Sequence, residues 1–145
     1  MNRLIVKKYK ENDGIQLIDL SVVGNDINHS LFLGKVDVNE FIGWFLKHER
    51  EIREDELPIE IIIYKSLAEN VHYSYDTMDV DDDDLVDQMY NYRRGHCLRF
   101  ASRGCDFPEI YIGKVRGLYE ISKFSAAESW KYYIDIEEFF KGIKC

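Results

Sequence analysis

No apolar run in this chain approaches the roughly 18–20 residues that cross a bilayer, so no membrane span is expected. Proline is nearly missing: Pro58 and Pro108 are the two, and no Pro- or Gly-rich linker divides the chain. A single domain over residues 1–145, with one sizeable core, is the expectation. Cysteine is scarce and odd in number, at Cys97, Cys105 and Cys145. That count does not make a disulfide framework and points to a reducing compartment. The opening residues, MNRLIVKKYKENDG, carry a three-residue apolar patch before more lysines, too short for the core of a secretion signal. The expected location is the cytoplasm.

Chemical motifs are missing as well. There is no C-x-x-C, no Gly-rich phosphate loop and no G-x-S-x-G elbow. Of His29, His48, His72 and His96, only His96 neighbours a cysteine, Cys97, and adjacent residues do not easily reach one zinc ion. No metal, no cofactor and no catalytic residue is therefore expected. Cys97 sits in the alternating stretch Cys97-Leu98-Arg99-Phe100 and reads as a small core residue rather than a nucleophile.

What the chain has is acid. It holds 27 acidic against 19 basic residues, a net charge of -8. The stretch 76–87 reads DTMDVDDDDLVD: Asp76, Asp79, Asp81, Asp82, Asp83, Asp84 and Asp87, with no Lys or Arg among them. Charges at this density repel one another, so a cation or a basic partner surface is the usual reason to keep them. The spacing fails the calcium-loop pattern, since counting from Asp76 places Asp81 where a glycine is required. One contiguous run also does not supply the separated carboxylates of two-metal nuclease chemistry. Two readings stay open: a solvated, helix-capping segment, and a docking patch for a basic protein. The acidic balance speaks against generic nucleic-acid binding and against an anionic membrane, because both need Lys and Arg.

A basic stretch follows the acid run. Between Gln88 and Lys123 lie Arg93, Arg94, Arg99, Arg103, Lys114, Arg116 and Lys123, against Asp106, Glu109 and Glu120. These cations are expected to neutralise the acid run within the fold. The rival is a phosphate or RNA site, with Tyr90, Tyr92, Phe100 and Tyr111 as stacking partners.

Local patterns predict an α+β fold: a mostly antiparallel β-sheet with two to four packed helices. Arg3–Tyr9 and Ile15–Val23 flank the turn residues Glu11-Asn12-Asp13-Gly14 and read as a hairpin. Leu31–Val38 supplies a third strand. Phe41, Trp44, Phe45 and His48 mark one face of a helix over Asn39–Arg53. The run Ile59–Tyr64, IEIIIY, predicts a central strand. Ser66–Tyr75 is ambiguous. Asp83 or Asp84 caps a helix running to about Arg94, with Leu85, Met89 and Tyr92 on its buried face. Cys97–Ala101 starts a strand and Arg103–Asp106 is a turn. Glu109–Gly113 and Leu118–Phe124 form a hairpin, Lys131–Ile134 is a last strand, and Ile136–Ile143 is a closing helix. Val36–Ile42 and Ile134–Phe140 echo each other as strand-to-helix junctions.

The stretch Tyr90-Asn91-Tyr92-Arg93-Arg94-Gly95-His96-Cys97-Leu98-Arg99-Phe100-Ala101-Ser102-Arg103-Gly104, continuing through Pro108-Glu109-Ile110-Tyr111-Ile112-Gly113, resembles the immunity proteins of bacterial contact-dependent inhibition and related polymorphic toxin systems. The residues that carry the resemblance, 90–113, are 24 of the 145. It implies a stoichiometric inhibitor of one cognate toxin, often a basic nuclease. On this reading the Asp76–Asp87 patch mimics a nucleic-acid backbone, with help from Glu51, Glu54, Asp55 and Glu56. Tyr73, Tyr75 and Tyr90 are its expected aromatic anchors. The alternatives are a small hydrolase-like enzyme using His96, Cys97 or the carboxylates, and a regulatory protein-binding module with another acidic-patch ligand.

Overall fold

Three β-branched segments open the fold as a meander. In the computed structural model, which describes residues 1–12 and 15–144, β1 (Arg3–Asn12) pairs antiparallel with β2 (Ile15–Val23), and β2 pairs with β3 (Asn28–Asp37). Asp13 and Gly14, the second half of the expected turn, lie outside the described residues. Ile18, Leu20 and Val22 fall two apart on β2 and are all buried, as the period of a strand requires. β4 (Ile110–Val115), β5 (Leu118–Phe124) and β6 (Ser129–Tyr133) form a second antiparallel meander. Arg116 and Gly117 both take positive φ, 53° and 82°, which closes the β4–β5 hairpin in two residues.

The protein is an α+β fold with two small antiparallel sheets of three strands each. The described residues hold five α-helices, more than the two to four expected: α1 (Val38–Lys47), α2 (Glu49–Glu54), α3 (Leu67–Thr77), α4 (Asp83–His96) and α5 (Ile136–Ile143). The helix expected over Asn39–Arg53 is divided at His48, whose φ of -104° and ψ of 13° leave the helical range. The ambiguous segment after Ser66 is α3, because the Ser66 side chain accepts from the Glu69 N–H and caps it.

The echoed junctions are structurally alike. Asp37 accepts from the Glu40 N–H at 3.2 Å to start α1, and Asp135 accepts from the Glu138 N–H at 3.1 Å to start α5. Each cap is worth about 1 kcal/mol. The two helices then meet in the core, where the Phe45 and Phe139 rings pack edge to face with centroids 5.0 Å apart.

Two expected strands are not strands. Ile59–Tyr64 is irregular: Ile59 and Ile61 pack on an apolar cluster, while Ile63 and Tyr64 are 66% and 81% exposed. A short apolar run does not by itself distinguish a buried strand from an apolar loop, and here the backbone of Ile62 bonds to a side chain instead of a neighbouring strand. Cys97–Ala101 caps α4 and turns into a short 3-10 helix over Leu98–Ala101. Cys97 makes just an isolated bridge to Tyr111.

β4 is buried on both faces, and this places everything that follows. Ile110 and Ile112 join the main core with β2, α1 and α5. Tyr111, between them, points into a second cluster with Leu67, Val71, Met89, Tyr92 and Cys97. Helices α3 and α4 therefore form an outer layer over the second sheet, and they carry the acid run between them.

Candidate functional site

The acid run is the corner between α3 and α4. Met78 ends α3 by donating its N–H to Ser74 O at 2.7 Å. The Asp81 N–H donates to Asp79 Oδ1 at 3.0 Å. Asp82 caps α4, accepting from the Leu85 N–H at 3.1 Å, one residue earlier than the expected Asp83 or Asp84. Asp83 and Asp84 occupy the first turn of α4, where the helix dipole favours negative charge by about 0.3–1 kcal/mol each. Capping thus accounts for Asp82 and part of the benefit of its neighbours.

It does not account for the rest. Among the described residues no Lys or Arg pairs with any of the seven aspartates; the one charged partner is His72, 3.6 Å from Asp76. The expected neutralisation by the following arginines is not what the fold provides. Arg93 and Arg99 both turn to Glu109, at 3.0 and 3.2 Å. The Arg94 guanidinium lies over the Tyr90 ring, 5.8 Å from its centroid. Asp81, Asp83, Asp84 and Asp87 are exposed and face solvent without a cation.

The three expected anchors are not brought together. Tyr73 and Tyr75 are two apart on α3, about 200° around the helix, so they share no face. Tyr73 stacks beside Lys65, whose Nζ is 4.5 Å from the ring centroid. Tyr75 lines a cavity of about 230 Å³ with His72, Asp76, Arg93, Tyr111 and Phe124. There the Arg93 guanidinium lies 5.5 Å from the Tyr75 ring, and Arg93 Nε donates to Tyr111 Oη at 3.0 Å. Tyr90 sits past the middle of α4, in a different groove. Each ring carries a cation of the same chain. Glu51 is also elsewhere, packed beside Gly95 at the C-terminal end of α4.

Of the residues considered for catalysis, Cys97 and His96 are both buried. Cys97 is buried, and burial pushes its thiol up to about 11, so the thiolate is scarce at neutral pH. His96 is buried with Nδ1 2.8 Å from Tyr92 O and Nε2 3.0 Å from Glu51 O. Burial lowers its pKa, and both nitrogens face carbonyl oxygens, so neither is free to serve Cys97 as a base. Among the described residues no group of three or more His, Cys, Asp or Glu is placed to hold a metal ion. No described helix is long and apolar enough to cross a membrane.

The interactions that sequence reasoning did not find are those made at long range. Arg93 meets Glu109 and Tyr111 across the α4–β4 contact. Asn70, buried on α3, holds the Ile62–Ser66 backbone. Glu120, 1% exposed on β5, accepts the Leu67 N–H at 2.6 Å and so seats the start of α3 on the second sheet. Ser122 does the same for Ala68 at 3.1 Å. No protein-family model, no curated protein and no solved structure matches this chain.

Proposed function

We propose that the chain is a cytoplasmic binding protein of the immunity type, which neutralises a basic toxin domain by docking it on the α3–α4 corner. The supporting observation is that the aspartates between Asp76 and Asp87 have no Lys or Arg partner within the protein, although arginines are close in sequence. An unpaired carboxylate cluster on a capped helix is preorganised to receive Lys and Arg from outside. It raises the association rate and opposes partners of the wrong sign. Tyr75, next to Asp76 on α3 and 39% exposed, provides apolar contact at its edge.

The test separates charge from folding. Asp81, Asp83, Asp84 and Asp87 are changed together to Asn, while Asp82 is kept because it caps α4. The native protein is expected to retain one basic partner in equimolar amount from source cells at low salt, with the complex weakening as salt rises. The Asn variant is expected to lose it at least tenfold. An equally tight complex with the Asn variant would remove the acid run from the mechanism.

A further inference from the structure

The C-terminal end of α4 carries the opposite charge from its start. A groove of about 500 Å³ runs between α1 and the segment after α4, and its polar rim is basic. Lys47 comes from α1, Arg94 from α4, and Arg99 and Arg103 from the following turn. Among the described residues, Arg99 alone of these four has a carboxylate partner, sharing Glu109 with Arg93. The acid on the wall, Glu40, is already engaged by the Arg103 backbone N–H. Two aromatic rings stand among the cations: Tyr90 is 52% exposed and Phe100 39%. Ser102 also lines the groove, and its hydroxyl is buried without a hydrogen-bond partner in the protein. His48 also lines the groove, but its Nδ1 lies toward Gly95 and Glu51, 3.6 Å from Glu51 Oε2.

We propose that this groove binds a nucleotide, free or within a single strand, with its phosphates on Arg94, Arg103 and Lys47 and its base against Tyr90 or Phe100. The planar guanidinium forks suit phosphate oxygens, and exposed aromatic faces suit bases. An acidic peptide would use the cations but leave the rings idle. Of the four aromatics considered for stacking, Tyr92 and Tyr111 are buried and unavailable, so Tyr90 and Phe100 carry this role.

The net charge of -8 does not prevent such binding. Asp87, the member of the acid run nearest the groove, lies seven positions before Arg94 on α4, about 10 Å along the axis. That is just beyond the Debye length of about 8 Å at physiological salt, so the run is partly screened at the groove and its other aspartates, farther along the axis, more so. The site is independent of the acid corner, and its failure would leave that reading untouched.

Fluorescence anisotropy with labelled ten-nucleotide single strands of RNA and DNA tests the proposal, with AMP, ATP and inorganic phosphate as competitors. Binding at 50 mM salt is expected to weaken about 20-fold by 200 mM, as for about three neutralised phosphates. Arg94→Ala with Arg103→Ala is expected to lower affinity at least tenfold, and Tyr90→Ala with Phe100→Ala at least fivefold. All four side chains are exposed, so the variants are expected to fold, which circular dichroism checks. Competition by AMP or ATP assigns a free nucleotide; binding of the strands alone assigns single-stranded nucleic acid. No binding at 50 mM salt overturns the proposal. So does binding indifferent to the arginine pair, or a poly-glutamate peptide that binds as tightly and ignores the aromatic variants.

Discussion

Asn70 and Ile62 exchange two hydrogen bonds: the Ile62 N–H donates to Asn70 Oδ1 at 2.9 Å, and Asn70 Nδ2 donates to Ile62 O at 3.2 Å. The same amide nitrogen reaches Lys65 O and Ser66 O. One buried side chain thereby stands in for the strand partner that the 59–64 backbone lacks. Asn70→Ala leaves the Ile62 N–H without its acceptor, while Ile62 O and Ser66 O keep the Lys65 and Asn70 backbone N–H, and is expected to cost about 1–3 kcal/mol. Urea unfolding measures the loss. Hydrogen exchange locates it, with the amide of Ile62 losing protection before those of β2. Unchanged exchange at Ile62 would contradict this account of the loop.

A second prediction concerns the contact between α4 and β4. A Cβ placed on Gly113 would lie 2.8 Å from Tyr92 Oη, 3.0 Å from His96 Cδ2 and 3.3 Å from Leu67 Cδ2. Tyr92 and His96 are stacked with centroids 3.8 Å apart and are both buried, so neither ring has room to move. Gly113→Ala is expected to destabilise by about 1–3 kcal/mol through overpacking. Tyr92→Phe removes a buried hydroxyl that has no partner and is expected to stabilise by about 1 kcal/mol. The double variant should recover more than the sum of the two, since the hydroxyl is the nearest obstacle. Strict additivity in thermal unfolding would count against the clash.

Glu120 gives a pH dependence with a definite sign. Burial holds its folded pKa above the ordinary 4.5, despite the Ser122 and Leu67 hydrogen bonds that favour the anion. The folded state therefore keeps a proton that the unfolded chain releases. The contribution of Glu120 to stability is greatest below about 4.5 and is lost as pH rises through its folded pKa. Glu120→Gln keeps an acceptor for the Leu67 N–H without the buried charge. The variant is expected to gain on the native protein between pH 4 and pH 8, with little difference at the acid end. His96, lowered by burial, adds a slope of the other sign below its ordinary 6.5, but it is present in both proteins and cancels in the difference. Parallel stability curves for the two proteins would refute the assignment.

How much of this was legible in the sequence depends on the range of the interactions involved. α5 could be read to the residue because its signals are local: the Asp135 cap, the apolar spacing of Ile136, Phe139 and Phe140, and the preceding strand. The β4–β5 hairpin was legible too, but with its first strand ending at Gly113, whereas β4 continues to Val115 and the turn is Arg116-Gly117 alone. Ile59–Tyr64 misled because its partner is one side chain on α3, which no periodicity reveals. The acid run was plain in the sequence, but the direction taken by its neighbouring arginines was not. Arg93 and Arg99 meet Glu109 through the α4–β4 packing. The basic groove is equally non-local, since Lys47 and Arg103 come from separate elements.

The two sheets meet where Asn2 bridges Ile134 in parallel and the Asp135 N–H donates to Asn2 O at 2.8 Å. These contacts join the first strand to the last across nearly the whole chain. Closing so large a loop is slow relative to zipping the β1–β2–β3 meander, whose pairings are between neighbours. A growing polypeptide would therefore complete the first meander early. With α1 covering the β3 side, it would then hold the β1 side of that meander's apolar face uncovered until α5 emerges to pack against it. For that interval the half-made protein offers the bare sheet that chaperones recognise and aggregates recruit.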